Sequence, residues 1–173
     1  ESQQFMKKNH AHTAKALWLS VFSILAAPHF VSAEVYTMQP KNGYRWSVGS
    51  SEGFEKPWAD GNEIVIDPRE TAHDYVDGTV APSGITFAQS GIHVALRTGT
   101  NAKIDWGSSL AKIESSNSGI AYVDVAMYGT GGLTLTSNAA VNYTGGTGIL
   151  LLQKDNSNLT GGITIERGFV SPG

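Results

Sequence analysis

The sequence predicts an all-β protein whose short strands recur along the chain as stacked coils. Three observations carry this expectation. Apolar triplets and alternating runs, each bounded by Gly, Ser, Asn or Thr clusters, recur about every ten residues from Ile85 onward, close to the spacing of all-β chains. No stretch after Ala33 shows the period of an amphipathic helix. A Gly-apolar-Thr-apolar form returns at Gly84-Ile85-Thr86-Phe87, Gly132-Leu133-Thr134-Leu135 and Gly162-Ile163-Thr164-Ile165, and Asn101 to Trp106 echoes Asn138 to Tyr143. These echoes are unequally spaced, yet they favour a repeat over a β-sandwich, the alternative that alternation and turn spacing also allow.

Taken in order, the first element stands outside that fold. From Met6 the chain carries Lys7, Lys8 and Lys15 with no acid, then a 12-residue apolar run from Ala16 to Ala27. Pro28 and Val31-Ser32-Ala33 follow, just before Glu34. A positive end, a short apolar core and small residues at −3 and −1 form a secretory signal. The run is too short to span a bilayer, which takes about 20 residues. Residues 1–33 are therefore expected to be a removable signal helix, preceded by Glu1 to Phe5, with signal peptidase cutting between Ala33 and Glu34.

Two zones follow. Residues 34–80 hold 4 basic and 9 acidic side chains, a net charge of −5, and only 5 glycines. Pro40, Pro57 and Pro68 and turns at Asn42-Gly43, Asp60-Gly61 and Asp77-Gly78 read as an irregular N-terminal cap, with Ile64-Val65-Ile66 its best strand. Residues 81–173 balance 5 basic against 5 acidic residues and hold 15 glycines. There the expected strands are Ile85 to Phe87, Ile92 to Leu96, Ala102 to Trp106, Leu110 to Ile113, Ile120 to Met127, Leu133 to Leu135, Ala140 to Tyr143, Ile149 to Leu152 and Ile163 to Ile165. Alternate apolar positions such as Ile92, Val94 and Leu96 turn one side inward. Stacked coils then bury a column that no single coil buries alone.

Composition narrows function. The 173 residues include no cysteine, which excludes disulfides, Cys-based zinc sites and thiol nucleophiles. A net charge of −3 leaves no basic footprint for nucleic acid. Gly49-Ser50-Ser51-Glu52-Gly53 matches G-x-S-x-G, but Pro57 spoils the helix that a nucleophile elbow needs, so a flexible turn is the better reading. His73-Asp74 invites a triad with Ser51; His73 and His93 are the histidines left after the signal, and solvated surface positions are the default for both. Two isolated histidines make a poor metal site, and no cofactor is expected. Asp105 and Asp124 are the carboxylates on expected strands that could stack on adjacent coils as a catalytic pair. Tyr36, Tyr44, Trp46 and Trp58 could bind sugar, but sealing the first coil is the favoured role.

A signal, an irregular start and then cysteine-free strands rich in Gly, Ser, Thr and Asn resemble the N-terminal part of Gram-negative autotransporter passengers. Gly84 to Phe87, Asn101 to Trp106, Gly119 to Val125, Gly132 to Tyr143 and Gly162 to Ile165 carry the resemblance. It implies a right-handed parallel β-helix exported through the periplasm by an outer-membrane barrel translocator, and displayed at the cell surface or released. The chain reaches Ser171-Pro172-Gly173 without the amphipathic strands of a barrel, so a passenger fragment is expected. Its expected role is structural or adhesive, through outward Ser/Thr/Asn ladders that touch a host surface or another copy, with no catalysis. The rival is a secreted or periplasmic carbohydrate-active enzyme, a polysaccharide lyase or hydrolase using Asp105 and Asp124.

Overall fold

The computed structural model describes residues 32–88, 91–116, 119–137, 149–167 and 170–172, and among these there is no helix. Residues 34–80 hold β1 (Val35–Met38), β2 (Arg45–Trp46), β3 (Glu63–Ile66), β4 (Ala72–Val76) and β5 (Thr79–Val80). Then come β6 (Gly84–Phe87), β7 (Val94–Thr98), β8 (Lys103–Asp105), β9 (Ala111–Ser115) and β10 (Ile120–Asp124). The last five are β11 (Met127–Tyr128), β12 (Leu133–Ser137), β13 (Ile149–Leu152), β14 (Ile163–Arg167) and β15 (Val170–Pro172).

The strands form three sheets, ordered β1-β3-β6-β9-β12-β14, β2-β4-β7-β10-β13-β15 and β5-β8-β11. Every pairing between these strands is parallel. An antiparallel contact occurs as an isolated bridge between Met38 and Phe54. The hairpins of a β-sandwich are thus absent among the described strands, and this alternative does not describe the pairing. Parallel neighbours need a long connection; here it carries strands of the other sheets and, among the described residues, no helix.

Register explains the apolar alternation. Tyr36, Ile64, Ile85, Ile113 and Leu135 align across the first sheet, and all are buried. Ala72, Val94, Ala121 and Leu150 do the same in the second, and Val80, Ile104 and Met127 in the third. Side chains from all three sheets join one hydrophobic cluster. Leu133 pairs with Ile163 and Leu135 with Ile165, so the second and third Gly-apolar-Thr-apolar echoes stack directly. The first is offset by two residues, since Ile85 and Leu135 both align with Ile113.

Some strand expectations need correction. Ile120 to Met127 is two strands in two sheets, β10 and β11, separated by a bend at Val125. Ala121, Val123, Val125 and Met127 are all fully buried, so the period of two runs through the corner because both sides face the same core. Strand β7 begins at Val94 rather than Ile92, and Leu110, 71% exposed, precedes β9. The expected strand Ala140 to Tyr143 and the signal helix lie outside the described residues.

The two ends of the stack differ. At one, Tyr36, Trp46, Phe54 and Trp58 form a buried aromatic cluster, with Trp46 and Trp58 edge to face at 5.2 Å. At the other, Ile163 and Ile165 are 45% and 53% exposed. Residues from Ser32 onward form one compact unit, beginning beside the Ala33–Glu34 bond.

Candidate functional site

The turn Lys41-Asn42-Gly43-Tyr44 leads into β2. Gly43 takes φ 96°, a conformation open to glycine at little cost, and Tyr44 N–H donates back to Lys41 O at 3.0 Å. The turn is tied to β4 on both sides. Gly43 N–H donates to His73 O at 3.0 Å and Tyr75 N–H to Tyr44 O at 2.8 Å. Tyr44 N–H also reaches the carboxylate of Asp74, Oδ1, at 2.9 Å.

Asp74 points inward from β4, aligned with Leu96, and is fully buried. Its Oδ2 has no hydrogen-bond partner. Burial pushes its pKa up to about 6, opposed by the backbone N–H groups of Tyr44, Lys41 and Gly43 in the turn above it. A buried, half-satisfied carboxylate is costly, and this one fixes the segment that presents Tyr44.

Opposite the turn, Gly53 has φ 76°, and a Cβ there would lie 2.9 Å from Gln39 O and 3.0 Å from Tyr44 Cδ2. Its bare backbone lets the half-buried Tyr44 ring settle against it. Gln39 N–H donates to Gly53 O at 2.9 Å, and Arg45 N–H to Glu52 Oε2 at 2.6 Å. Two surface depressions flank the ring and share Tyr44 and Gln39. One, about 310 Å³, is completed by Thr37, Gly53, Phe54 and Glu55. The other, about 350 Å³, is completed by Pro40, Lys41, Arg69 and Glu70. Both are at the lower end of the ~300–1,000 Å³ range of small-ligand pockets. Arg69 is paired with Asp67 at 2.6 Å; Lys41 and Glu70 line the same depression, and Glu55 lines the other.

The residues singled out by sequence are dispersed. Asp105 lies on β8 in the third sheet, aligned with Tyr128, and its Oδ1 accepts Gly107 N–H at 2.9 Å. Asp124 lies on β10 in the second sheet, aligned with Arg97 and 3.4 Å from Lys154 Nζ. The expected stacking of the two aspartates does not occur, because their strands belong to different sheets. His73 and Asp74 are consecutive on β4 and face opposite ways, His73 partly exposed and Asp74 buried. Residues 49–53 form turns with no helix after them, and His93 is exposed. Trp46, Trp58 and Tyr36 are in the core, so Tyr44 alone of that aromatic group reaches a groove. The sequence signal for Tyr44 was its Asn-Gly turn; its buried anchor, Asp74, is 30 residues away.

Ala33 and Glu34 are exposed and precede β1. Glu34 N–H donates to Asn62 Oδ1 at 2.8 Å, and the Glu34 carboxylate meets Lys56 Nζ at 2.5 Å. Among the described residues no group of three His, Cys, Asp or Glu side chains could hold a metal ion. No helix there is long and apolar enough to cross a membrane.

No family model, curated protein or solved structure matches the chain.

Proposed function

We propose that the chain is an exported passenger segment of the autotransporter type, a right-handed parallel β-helix that serves at the cell surface as a structural and adhesive rod. The observation that carries the reading is the asymmetry of the inward column. It is closed by aromatics above Tyr36 and buried through Leu135, but opens at Ile165, which is 53% exposed. Strand β14 is paired on one side with β12 and is the last of its sheet among the described strands; such an edge with an exposed inward isoleucine suits a further coil of the same kind. Its partners are then signal peptidase, an outer-membrane barrel translocator and the surface it meets.

Outward positions of the first sheet also support a contact surface. Thr37, Val65, Thr86 and Glu114 align across four strands and are exposed or half-buried, while Thr136, next in the row, is buried. Thr86 donates to Glu63 and Thr136 to Glu166, each at 3.0 Å. The ladder is one of threonine and charge rather than of Ser and Asn.

Expression of the full chain in a Gram-negative host, with fractionation and intact-mass measurement, tests the reading. A product beginning at Glu34 and found beyond the inner membrane is expected. An uncut chain retained in the cytosol would overturn it.

A further inference from the structure

We infer that the paired depressions around Tyr44 form a binding groove for an uncharged oligosaccharide, with the Tyr44 ring as the stacking platform between two adjoining subsites. This deepens the surface-recognition part of the proposed function and rests on it only for its biological setting.

The first support is shape. Two hollows of about 310 and 350 Å³ meet at one half-buried tyrosine and one exposed glutamine. A sugar ring has an apolar face that packs on an aromatic ring and hydroxyl edges that need donors and acceptors. Tyr44 supplies the face, while the Gln39 amide, which both donates and accepts, stands in both hollows.

The second support is rigidity. Tyr44 is held through its N–H by Lys41 O and Asp74, and through its C=O by Tyr75 N–H. Gly53 clears the space against which its ring rests. Stacking on a ring already fixed in place loses little entropy on binding. Behind this tyrosine a fully buried carboxylate, Asp74, anchors the turn from the core.

The third support is charge. Arg69 is paired with Asp67, Lys41 and Glu70 line the same hollow as Arg69, and Glu55 lines the other. The lining therefore carries no net positive charge to hold a polyanion, while its carboxylates and the Gln39 amide offer acceptors to hydroxyl groups. An uncharged glycan is the ligand class that this lining favours.

Calorimetric titration of the full chain with glucose, maltotetraose, cellotetraose and tetra-N-acetyl chitotetraose, with polygalacturonate as the anionic comparison, tests the site. At least one neutral tetrasaccharide should bind about 10-fold more tightly than its monosaccharide, because it reaches both subsites. Its affinity should hold at about 0.5 M salt. Tyr44→Ala should weaken it about 10-fold and Gln39→Ala measurably, while Tyr44→Phe keeps the ring and stays near the parent. Tyr128→Ala, on the third sheet, should change nothing. Circular dichroism confirms that each variant is folded, and Gln39→Ala with Tyr44→Phe carries the test if Tyr44→Ala is not. Absence of binding by every neutral tetrasaccharide would overturn the site, as would full affinity in Tyr44→Ala or a preference for polygalacturonate that salt abolishes. Export can hold with this groove empty, so a failed titration strikes the groove alone and a failed fractionation strikes the passenger reading.

Discussion

Asp74, buried on the inward face of β4, accepts the backbone N–H of Tyr44 at 2.9 Å across 30 residues of chain, and its other oxygen has no partner. The contact joins the one charged side chain in an otherwise apolar register of the second sheet, Leu96, Val123 and Leu152, to the turn that carries the half-buried Tyr44. It sets a pH dependence. Burial raises the folded-state pKa to about 6 from the ordinary 3.8, so the folded protein holds its proton more tightly than the unfolded chain. The stability from this group is complete below about pH 4 and is lost as pH rises through about 6. Denaturation midpoints measured from pH 4 to pH 7 should fall across that window in the parent. Asp74→Asn should remove that component of the slope.

Leu135 and Ile165 are direct neighbours in the same inward column, one fully buried and the other 53% exposed. Leu135→Ala should therefore cost about 2–5 kcal/mol, and Ile165→Ala well under half as much. Urea titration monitored by circular dichroism gives both values. Equal losses would mean that Ile165 is covered in solution.

Trp58 packs edge to face on Trp46 and Tyr36, and its Nε1–H reaches Asp60 Oδ1 at 3.3 Å. Trp58→Ala should cost about 3–5 kcal/mol by opening the closed end of the core. Near-ultraviolet circular dichroism should lose its tryptophan signal before the sheets melt.

Glycines differ by what lies beside them. A Cβ on Gly131 would fall inside contact distance of the Ser109 carbonyl, whereas one on Gly84 would meet its nearest atom at 3.5 Å. Gly131→Ala should destabilise by about 1–3 kcal/mol through overpacking. Gly84→Ala should be neutral or stabilising by up to about 1 kcal/mol, since it restricts the unfolded chain. Thermal melts of the two variants separate these outcomes.

Under the proposed export, the N–H that Glu34 donates to Asn62 belongs to the bond to be cut. Strand β1 begins one residue later, so once it has paired the chain on the Glu34 side of the bond is fixed to the sheet and to Asn62. Signal peptidase should cleave the urea-unfolded chain at Ala33/Glu34 and leave the folded, uncut chain intact, as a time course on gels would show. In the cut protein the new ammonium takes over the Asn62 contact. Asn62→Ala should then lower stability by about 1–2 kcal/mol.

Much of the fold was legible because inward positions repeat every second residue. Ile64-Val65-Ile66, Ile85 to Phe87 and Leu133 to Leu135 carry that pattern plainly, and each lies in the first sheet. β4 was not legible, because its inward residues are Ala72, Asp74 and Val76, and an aspartate in the middle breaks the apolar alternation. The break between β10 and β11 was hidden for the opposite reason: the alternation continues unbroken around the bend at Val125.

By itself the sequence determined the all-β class, the positions of most strands and the glycine-marked turns, since these depend on local conformational preference and on burial of alternate residues. Only the tertiary structure decided which strands pair. Successive strands of the first sheet are about 21 to 30 residues apart, and alternation states which side faces inward without naming the neighbour. The same distance separates Tyr44 from Asp74. Four aromatics of one acidic segment are alike in composition, but Tyr36, Trp46 and Trp58 are enclosed by the core, while Tyr44 is held at the surface by a carboxylate from the next strand of its sheet.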